Sequence, residues 1–232
     1  MSRLVLFDLD NTLLSGDSEV LWVRYLLGRG LLDDGLAARN AEMDRRYHAG
    51  QATPAEFCAF YASIFGGRTP EDWEPLRADF IDTVIAPRLP AAAHELVQGH
   101  RARCDTLVLT TASSRFLSVP TARLLGFEHL VATELARHAD GRFTGQTEGT
   151  LNMREGKVER LLQWLPHNLP EESTDAWLRR ATFYSDSIND LPLLLAVGDP
   201  VVVDPDARLE TEARARHWPV LRLPRQPLPV ET

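Results

Sequence analysis

Short apolar runs closed by polar clusters recur along this chain, and after the first of them lies a long stretch whose apolar positions follow helical spacing. Residues 3–9 (RLVLFDL) predict a buried strand, because the run is short, nearly continuous in apolar residues and stopped by turn formers. DTLVLTTAS (105–113), ATFYSDS (181–187) and PVVVD (200–204) have the same form. LVATELA and RFTGQTEG, joined by Asp140-Gly141, predict a β-hairpin with a primed turn.

From about 17 to 86 the pattern is helical. Asp17 can N-cap a helix carrying Val20, Leu21, Val23, Leu26 and Leu27 on one side, with Gly28 and Gly30 closing it. Thr53-Pro54-Ala55-Glu56 is a capping box with proline at the first helical position, and Thr69-Pro70-Glu71-Asp72 repeats it with aspartate. About four helices and no strand are expected here. Further helices are predicted over 90–102, 118–125, about 155–165, 189–197 and 206–216. The stretch 166–175 reads as an acidic, proline-containing loop, and the tail LPRQPLPVET (223–232) as loosely held. Strand–helix alternation implies an α/β fold: a Rossmann-like parallel sheet with helices on both faces and an inserted all-helical domain. The expected division is a core of residues 1–15 and 87–232 and a cap of residues 16–86.

Composition narrows the function classes. With 232 residues, 44% hydrophobic and 25% charged, the chain is ordinary for a soluble globular protein. A net charge of −8 argues against general binding to nucleic acid or to an anionic membrane surface. No run approaches the roughly eighteen apolar residues of a membrane span, and Asp8 and Asp10 break the N-terminal run before it could serve as a signal peptide. Cys58 and Cys104, far apart and without histidine neighbours at ligand spacing, are expected to be buried free thiols in a reducing cytoplasm. The predicted protein is cytoplasmic, a monomer or homodimer, with no nucleic-acid or membrane partner.

In a parallel sheet, ligands bind beyond the carboxyl ends of the strands. The polar residues at those ends are Asp8 and Asp10, Thr110 to Ser113, and Asp186 with Ser187, Asn189 and Asp190. One acidic strand end is commonly just a turn, but three such ends, two with paired aspartates, point to a site. Clustered carboxylates need a cation or a proton to coexist, and hard oxygen ligands suit Mg²⁺. Lys157 stands apart because the 25 basic residues include no other lysine. A solvated helix start is the plain reading. Against it, a pocket in which one compact charge must meet both a carboxylate and a phosphate oxygen would favour lysine over the broad arginine fork.

These residues resemble the haloacid dehalogenase superfamily. DLDNTL resembles its first motif, LVLTTAS the second, Lys157 the third and YSDSINDLPLL the fourth, in that order and across nearly the whole chain. The fourth motif and the position of the helical insertion resemble the phosphoserine-phosphatase-like branch. The resemblance implies that Asp8 is a nucleophile forming an aspartyl-phosphate and that Asp10 is the acid and then the base. It implies Mg²⁺ held by Asp8, the Asp10 carbonyl and Asp186. Thr111 would hydrogen-bond the phosphoryl group beside Ala112, although a slip of one residue would give that role to Thr110. Lys157 would neutralise phosphoryl charge, Asn189 would contact phosphate, and Asp190 would act in the second shell or fix Lys157.

Departures from that branch bear on the substrate. Thr111-Ala112-Ser113 replaces Ser-Gly-Gly, and Ser185-Asp186-Ser187 replaces Gly-Asp-Gly. Asp17 stands where a glutamate holds the substrate amine, and it can equally be only a helix cap. DLDNTLLSGDS is closer to an offshoot that includes histidinol-phosphate phosphatases. Arg24, Arg45 and Arg46 could reach a substrate carboxylate or be solvated helix charges. The expected function is a Mg²⁺-dependent phosphomonoesterase for a small phosphorylated metabolite, phosphoserine-like or histidinol phosphate. A phosphotransferase sharing the intermediate and a phospho-accepting signalling domain are the alternatives. A receiver domain is about half as long and lacks both the helical insertion and an acid two residues after the nucleophile.

Overall fold

The computed structural model describes residues 3–33 and 35–226. Among them a seven-stranded sheet runs in the order β4-β3-β2-β1-β5-β6-β7. Its strands are β1 (Leu4–Phe7), β2 (Thr106–Ser114), β3 (His129–Arg137), β4 (Phe143–Glu148), β5 (Thr182–Ser185), β6 (Asp199–Val203) and β7 (Val220–Leu221). Every neighbouring pair is parallel except β3 and β4, the predicted hairpin. From β1 the chain builds outward through β2 and β3, then returns to add β5 and β6 on the other side. Strand order therefore reverses at β1, and the crevice beyond its carboxyl end is where such a sheet offers a binding site.

The two-residue period of β1 splits the core between the sheet's faces. Val5 and Phe7 enter one apolar cluster with α5 (Ala91–Ala102) and α6 (Arg115–Leu125). Leu4 and Leu6 enter the other, with α7 (Glu155–Asn168), α8 (Thr174–Arg180), α9 (Leu191–Ala196) and α10 (Ala207–Arg216).

Between β1 and α5 the described chain is all helical: α1 (Ser18–Gly28), α2 (Gly35–His48), α3 (Pro54–Ser63) and α4 (Pro70–Phe80), followed by a π turn at Ile81–Ile85 and a 3-10 turn at Ala86–Arg88. Asp17 caps α1, and both threonine capping boxes form at α3 and α4. Trp22, with no exposed surface, sits among Tyr25, Phe65, Trp73 and Phe80. That aromatic group is continuous with the β1 core. The α2–α3 end packs a separate cluster around Met43, Phe57 and Tyr61.

Several elements differ from expectation. The segment 166–175 is not one loop: α7 continues through Pro166 to Asn168, and α8 begins at Thr174 behind the Ser173 cap. Pro166 is tolerated because it falls in the last turn of α7, where only one interior hydrogen bond is given up. Cys58 is buried as expected, but Cys104 is exposed, in a left-handed turn (φ +59°) just after α5. The tail is also held more firmly than its composition suggests. β7 pairs with β6, Leu223 is buried, and Arg225 bonds back to the loop after β1. The rest of the predicted loose tail, 227–232, lies outside the described residues.

Candidate active site

The loop after β1 explains why its two aspartates flank a leucine. Leu9, Leu13 and Leu14 are fully buried, and the amides of Leu13 and Leu14 both bond to the Leu9 carbonyl. Asn11 takes a left-handed conformation (φ +58°), and its amide donates to the Gly16 carbonyl at 3.0 Å. The leucines anchor the loop in the core, while Asp8 and Asp10 line the cavity beyond the strand ends.

Lys157, on α7, joins two of the predicted carboxylates. Its Nζ donates to Asp8 Oδ1 at 2.9 Å and to Asp190 Oδ2 at 2.7 Å, with only 1% of the residue exposed. Ser185 Oγ donates to the same Asp190 oxygen at 2.8 Å. The Thr12 hydroxyl lies 3.0 Å from Asp8 Oδ2 and 3.1 Å from Asp186 Oδ1, and accepts from the Asp186 amide. Thr12 thus links β1 to β5, a role the sequence reading did not assign although the threonine belongs to the first motif.

The electrostatics follow from burial. Desolvation pushes Asp8 up to about 7, opposed by Lys157 and reinforced by Asp190 and Asp10. Asp186 rises well above the carboxylate range, mainly through burial and then through the charge of Asp8. Burial alone would lower Lys157, but Asp190 and Asp8 outweigh it and hold the ammonium charged. Three carboxyl groups thus crowd a site with one ammonium, and burial disfavours the charged forms of Asp8 and Asp186 unless further positive charge is supplied.

That imbalance fits a hard divalent cation. No group of three or more His, Cys, Asp or Glu side chains is gathered around one metal position among the described residues. The donor set is smaller: the Asp8 and Asp186 carboxylates, already brought to one hydroxyl by Thr12. One or two carboxylates completed by water and phosphate oxygens is the arrangement that Mg²⁺ accepts.

Asp10 is held differently. Its Oδ1 accepts from the Ser18 amide at 2.8 Å, and its Oδ2 from Ser113 Oγ at 2.6 Å and Thr111 Oγ1 at 3.1 Å. Thr111 is fully buried, and its hydroxyl also accepts from the Ser113 amide. The predicted phosphoryl donor is therefore turned toward Asp10, while Ala112 and Ser113 line the cavity. Thr110 is further removed, bonded to buried Asn152, whose amide also ties the Thr111 and Val131 carbonyls.

The cavity holds about 250 Å³. Tyr47 from α2, Phe57 from α3 and Met153 line it together with the carboxyl-bearing Asp17, Asp204 and Asp206. Tyr47 and Phe57 pack with ring centroids 4.3 Å apart. Asp17 is both a helix cap, accepting from the Glu19 and Val20 amides, and a cavity residue. Burial, and then the charge of Asp10, hold its carboxyl well above the usual range.

Other candidates lie elsewhere. Asn189 does not line the cavity; its amide oxygen accepts from Arg154 Nε at 3.0 Å. Arg24 is exposed, Arg45 pairs with Glu42, and Arg46 pairs with Glu56. None of the three lines the cavity, so they are solvated helix charges. Tyr47 and Phe57 had no distinguishing signal in the sequence, where both read as ordinary helix positions.

Known proteins match this chain along most of its length. The model of the family described as haloacid dehalogenase-like hydrolase matches residues 5–195. A histidinol-phosphatase of Neisseria meningitidis serogroup C (strain 8013) is 36% identical over 222 residues, covering 95% of this chain and 99% of the relative. A solved structure of a protein with unknown function from Bordetella pertussis Tohama I superposes with TM-score 0.86 at 38% identity, covering 95% of this chain and 98% of that one. A phospho-aspartyl intermediate analogue of phosphoserine phosphatase has the same fold, with TM-score 0.71 at 17% identity over 97% of this chain and 95% of its own. With its motifs on the carboxyl edge of the sheet and the family match spanning its core, the chain belongs to the haloacid dehalogenase-like hydrolases.

Proposed function

We propose that this protein is a Mg²⁺-dependent phosphomonoesterase acting on a small phosphorylated metabolite through an aspartyl-phosphate. The observation that carries the proposal is the buried Lys157 ammonium shared by Asp8 and Asp190 at the end of β1. An Asp8 carboxylate oxygen attacks phosphorus, the bond from phosphorus to the ester oxygen breaks, and Asp10 protonates the departing alkoxide. Water then attacks the same phosphorus, Asp10 takes its proton, and the Asp8–phosphorus bond breaks to release inorganic phosphate. Lys157 orients Asp8 and offsets charge on the phosphoryl oxygens. Asp8, Asp186 and the Asp10 carbonyl would hold Mg²⁺, which when bound supplies Lewis-acid neutralisation of the phosphate. We assign the helical segment 16–86 the role of a cap, because it supplies Tyr47, Phe57 and Asp17 to the cavity.

The lining favours a cationic alcohol without a carboxylate. Among the described residues Lys157 is the only cationic side chain that lines the cavity, whereas Asp17, Asp204 and Asp206 are acidic and Tyr47 and Phe57 offer ring faces. A substrate carboxylate would meet no arginine there. Histidinol phosphate, a flat ring and an amine with no carboxylate, suits that wall better than phosphoserine, and the histidinol-phosphatase relative supports the same choice. The test compares kcat/KM for histidinol phosphate, phosphoserine, sugar phosphates and nucleotides. Preference for histidinol phosphate is expected. Preference for phosphoserine, or similar turnover of all four, overturns the substrate assignment; no turnover of any overturns the activity.

A further inference from the structure

Near the end of the described residues, Arg225 uses all five N–H groups of its guanidinium. Arg225 Nη2 donates to the carbonyls of Asn11 at 2.6 Å and Thr12 at 3.0 Å. Its Nη1 donates to the Leu14 carbonyl at 3.1 Å and Ser15 Oγ at 3.0 Å, and Nε donates to Asp204 Oδ2 at 3.0 Å. The side chain is 24% exposed, and buried Leu223 fixes the segment leading to it. Four of the five acceptors belong to one short loop, residues 11–15. That loop follows Asp8 and Asp10 directly, includes Thr12, and leads into Asp17. The fifth acceptor, Asp204, is itself a cavity wall.

Beyond its buried leucines and a few turn hydrogen bonds, a loop with a left-handed Asn11 has no strand or helix to take up its carbonyls. A planar fork with fixed donor directions can fix several carbonyls at once, which three ammonium protons on a flexible stem cannot. We propose that Arg225 is a positioning residue for the nucleophile loop: by gathering the 11, 12 and 14 carbonyls, it keeps Asp8 and Asp10 on the cavity and the Thr12 hydroxyl on Asp8 and Asp186. The C-terminal segment is then part of the catalytic apparatus although it touches no substrate. The kinetic part of this proposal rests on the phosphatase reading; the ordering of the loop does not.

The experiment compares full-length wild type, Arg225→Ala and Arg225→Lys by kcat and KM for an aryl phosphate, by thermal unfolding, and by amide hydrogen exchange. A misplacement on the order of an ångström costs about 100-fold in rate, so kcat should fall about 10- to 100-fold with KM changed less than about threefold. Exchange should accelerate in residues 9–16 and stay unchanged in the strands. Arg225→Lys should recover little of the loss, whereas added guanidinium ion should partly restore kcat in Arg225→Ala. Unaltered exchange in residues 9–16, or wild-type kcat in Arg225→Ala, overturns the proposal. So does a loss of kcat that accompanies global unfolding and does not respond to guanidinium. If wild type turns over no phosphate ester, the phosphatase reading fails, and the exchange comparison still decides whether Arg225 orders the loop.

Discussion

Replacing Lys157 by methionine tests the buried charge arrangement directly, because methionine keeps the chain's length and apolar stem while removing the ammonium. In the native protein that ammonium serves Asp8 at 2.9 Å and Asp190 at 2.7 Å with 1% of the residue exposed. Removing one partner of a buried ion pair costs about 3–5 kcal/mol, and here two carboxylates lose their cation together. The cost is pH-dependent, with a definite sign. Without the lysine, the carboxyl of Asp8, already raised from 3.8 to about 7, rises further. A carboxyl raised in the folded state contributes stability below its unfolded pKa and loses it as pH climbs through the folded value. Wild type and variant should therefore lose stability in parallel up to about pH 7, and the variant should fall behind above it. Lys157, itself raised, keeps its wild-type contribution throughout that window and loses it only above the ordinary lysine range. Each pH unit above about 7 adds up to about 1.4 kcal/mol from Asp8, so at about 2–4 °C per kcal/mol for a chain of this size the Tm deficit reaches about 3–5 °C by about pH 8. Differential scanning calorimetry in EDTA across that pH range measures it. A deficit below about 2 °C, or one that does not change with pH, would refute the charge argument.

Three further outcomes are expected. Asp8→Asn should abolish turnover of an aryl phosphate while leaving Tm near or above wild type, since a buried acidic group becomes neutral; retained turnover would remove Asp8 from the nucleophile role. EDTA should stop hydrolysis and Mg²⁺ restore it, with Asp186→Asn raising the Mg²⁺ concentration needed; full activity in EDTA would refute the cation site. Glu19, 3% exposed and raised by burial from 4.5 to about 7, accepts from the Ser114 amide at 2.8 Å and is neutral when protonated. Its raised pKa makes wild type lose stability as pH rises from 4.5 through about 7, so Glu19→Gln should flatten that slope. By about pH 8 the variant should be more stable by up to about 3 kcal/mol, and an unchanged slope in urea-unfolding series would contradict this.

What was legible in the sequence was what obeys short-range rules. Leu4–Phe7 could be read because a strand buried on both faces must be continuously apolar, and Thr53 and Thr69 because capping boxes need fixed residues at fixed spacing. Asp8, Asp186 and Asp190 could be read because parallel sheets place their sites at strand ends. Lys157 could be read because it contrasts with 24 arginines. Tyr47 and Phe57 could not, since only the packing of α2 against α3 turns them toward the cavity. Thr111 was placed on the correct strand, but whether its hydroxyl faces phosphate or Asp10 depends on a rotamer. The two-residue strand β7 is too short to show a period, and the prolines around Arg225 concealed an arginine whose four partners in the loop after β1 lie more than 200 positions away.

The aromatic packing around Trp22 sets limits on how substrate reaches the cavity. One side of α1, with Leu21, Trp22 and Leu26, shares its apolar contacts with Phe65, Trp73, Phe80 and the sheet, so that part of the insertion is welded to the core. A hinge that swung all four helices outward would have to open that interior to water, at an energy comparable to partial unfolding. The cluster around Met43, Phe57 and Tyr61 is separate, and it carries the two rings over the cavity. An opening confined to α2 and α3 would have to part Met43, Phe57 and Tyr61 only from Val20, Val23 and Met153, a far smaller interior than the one around Trp22.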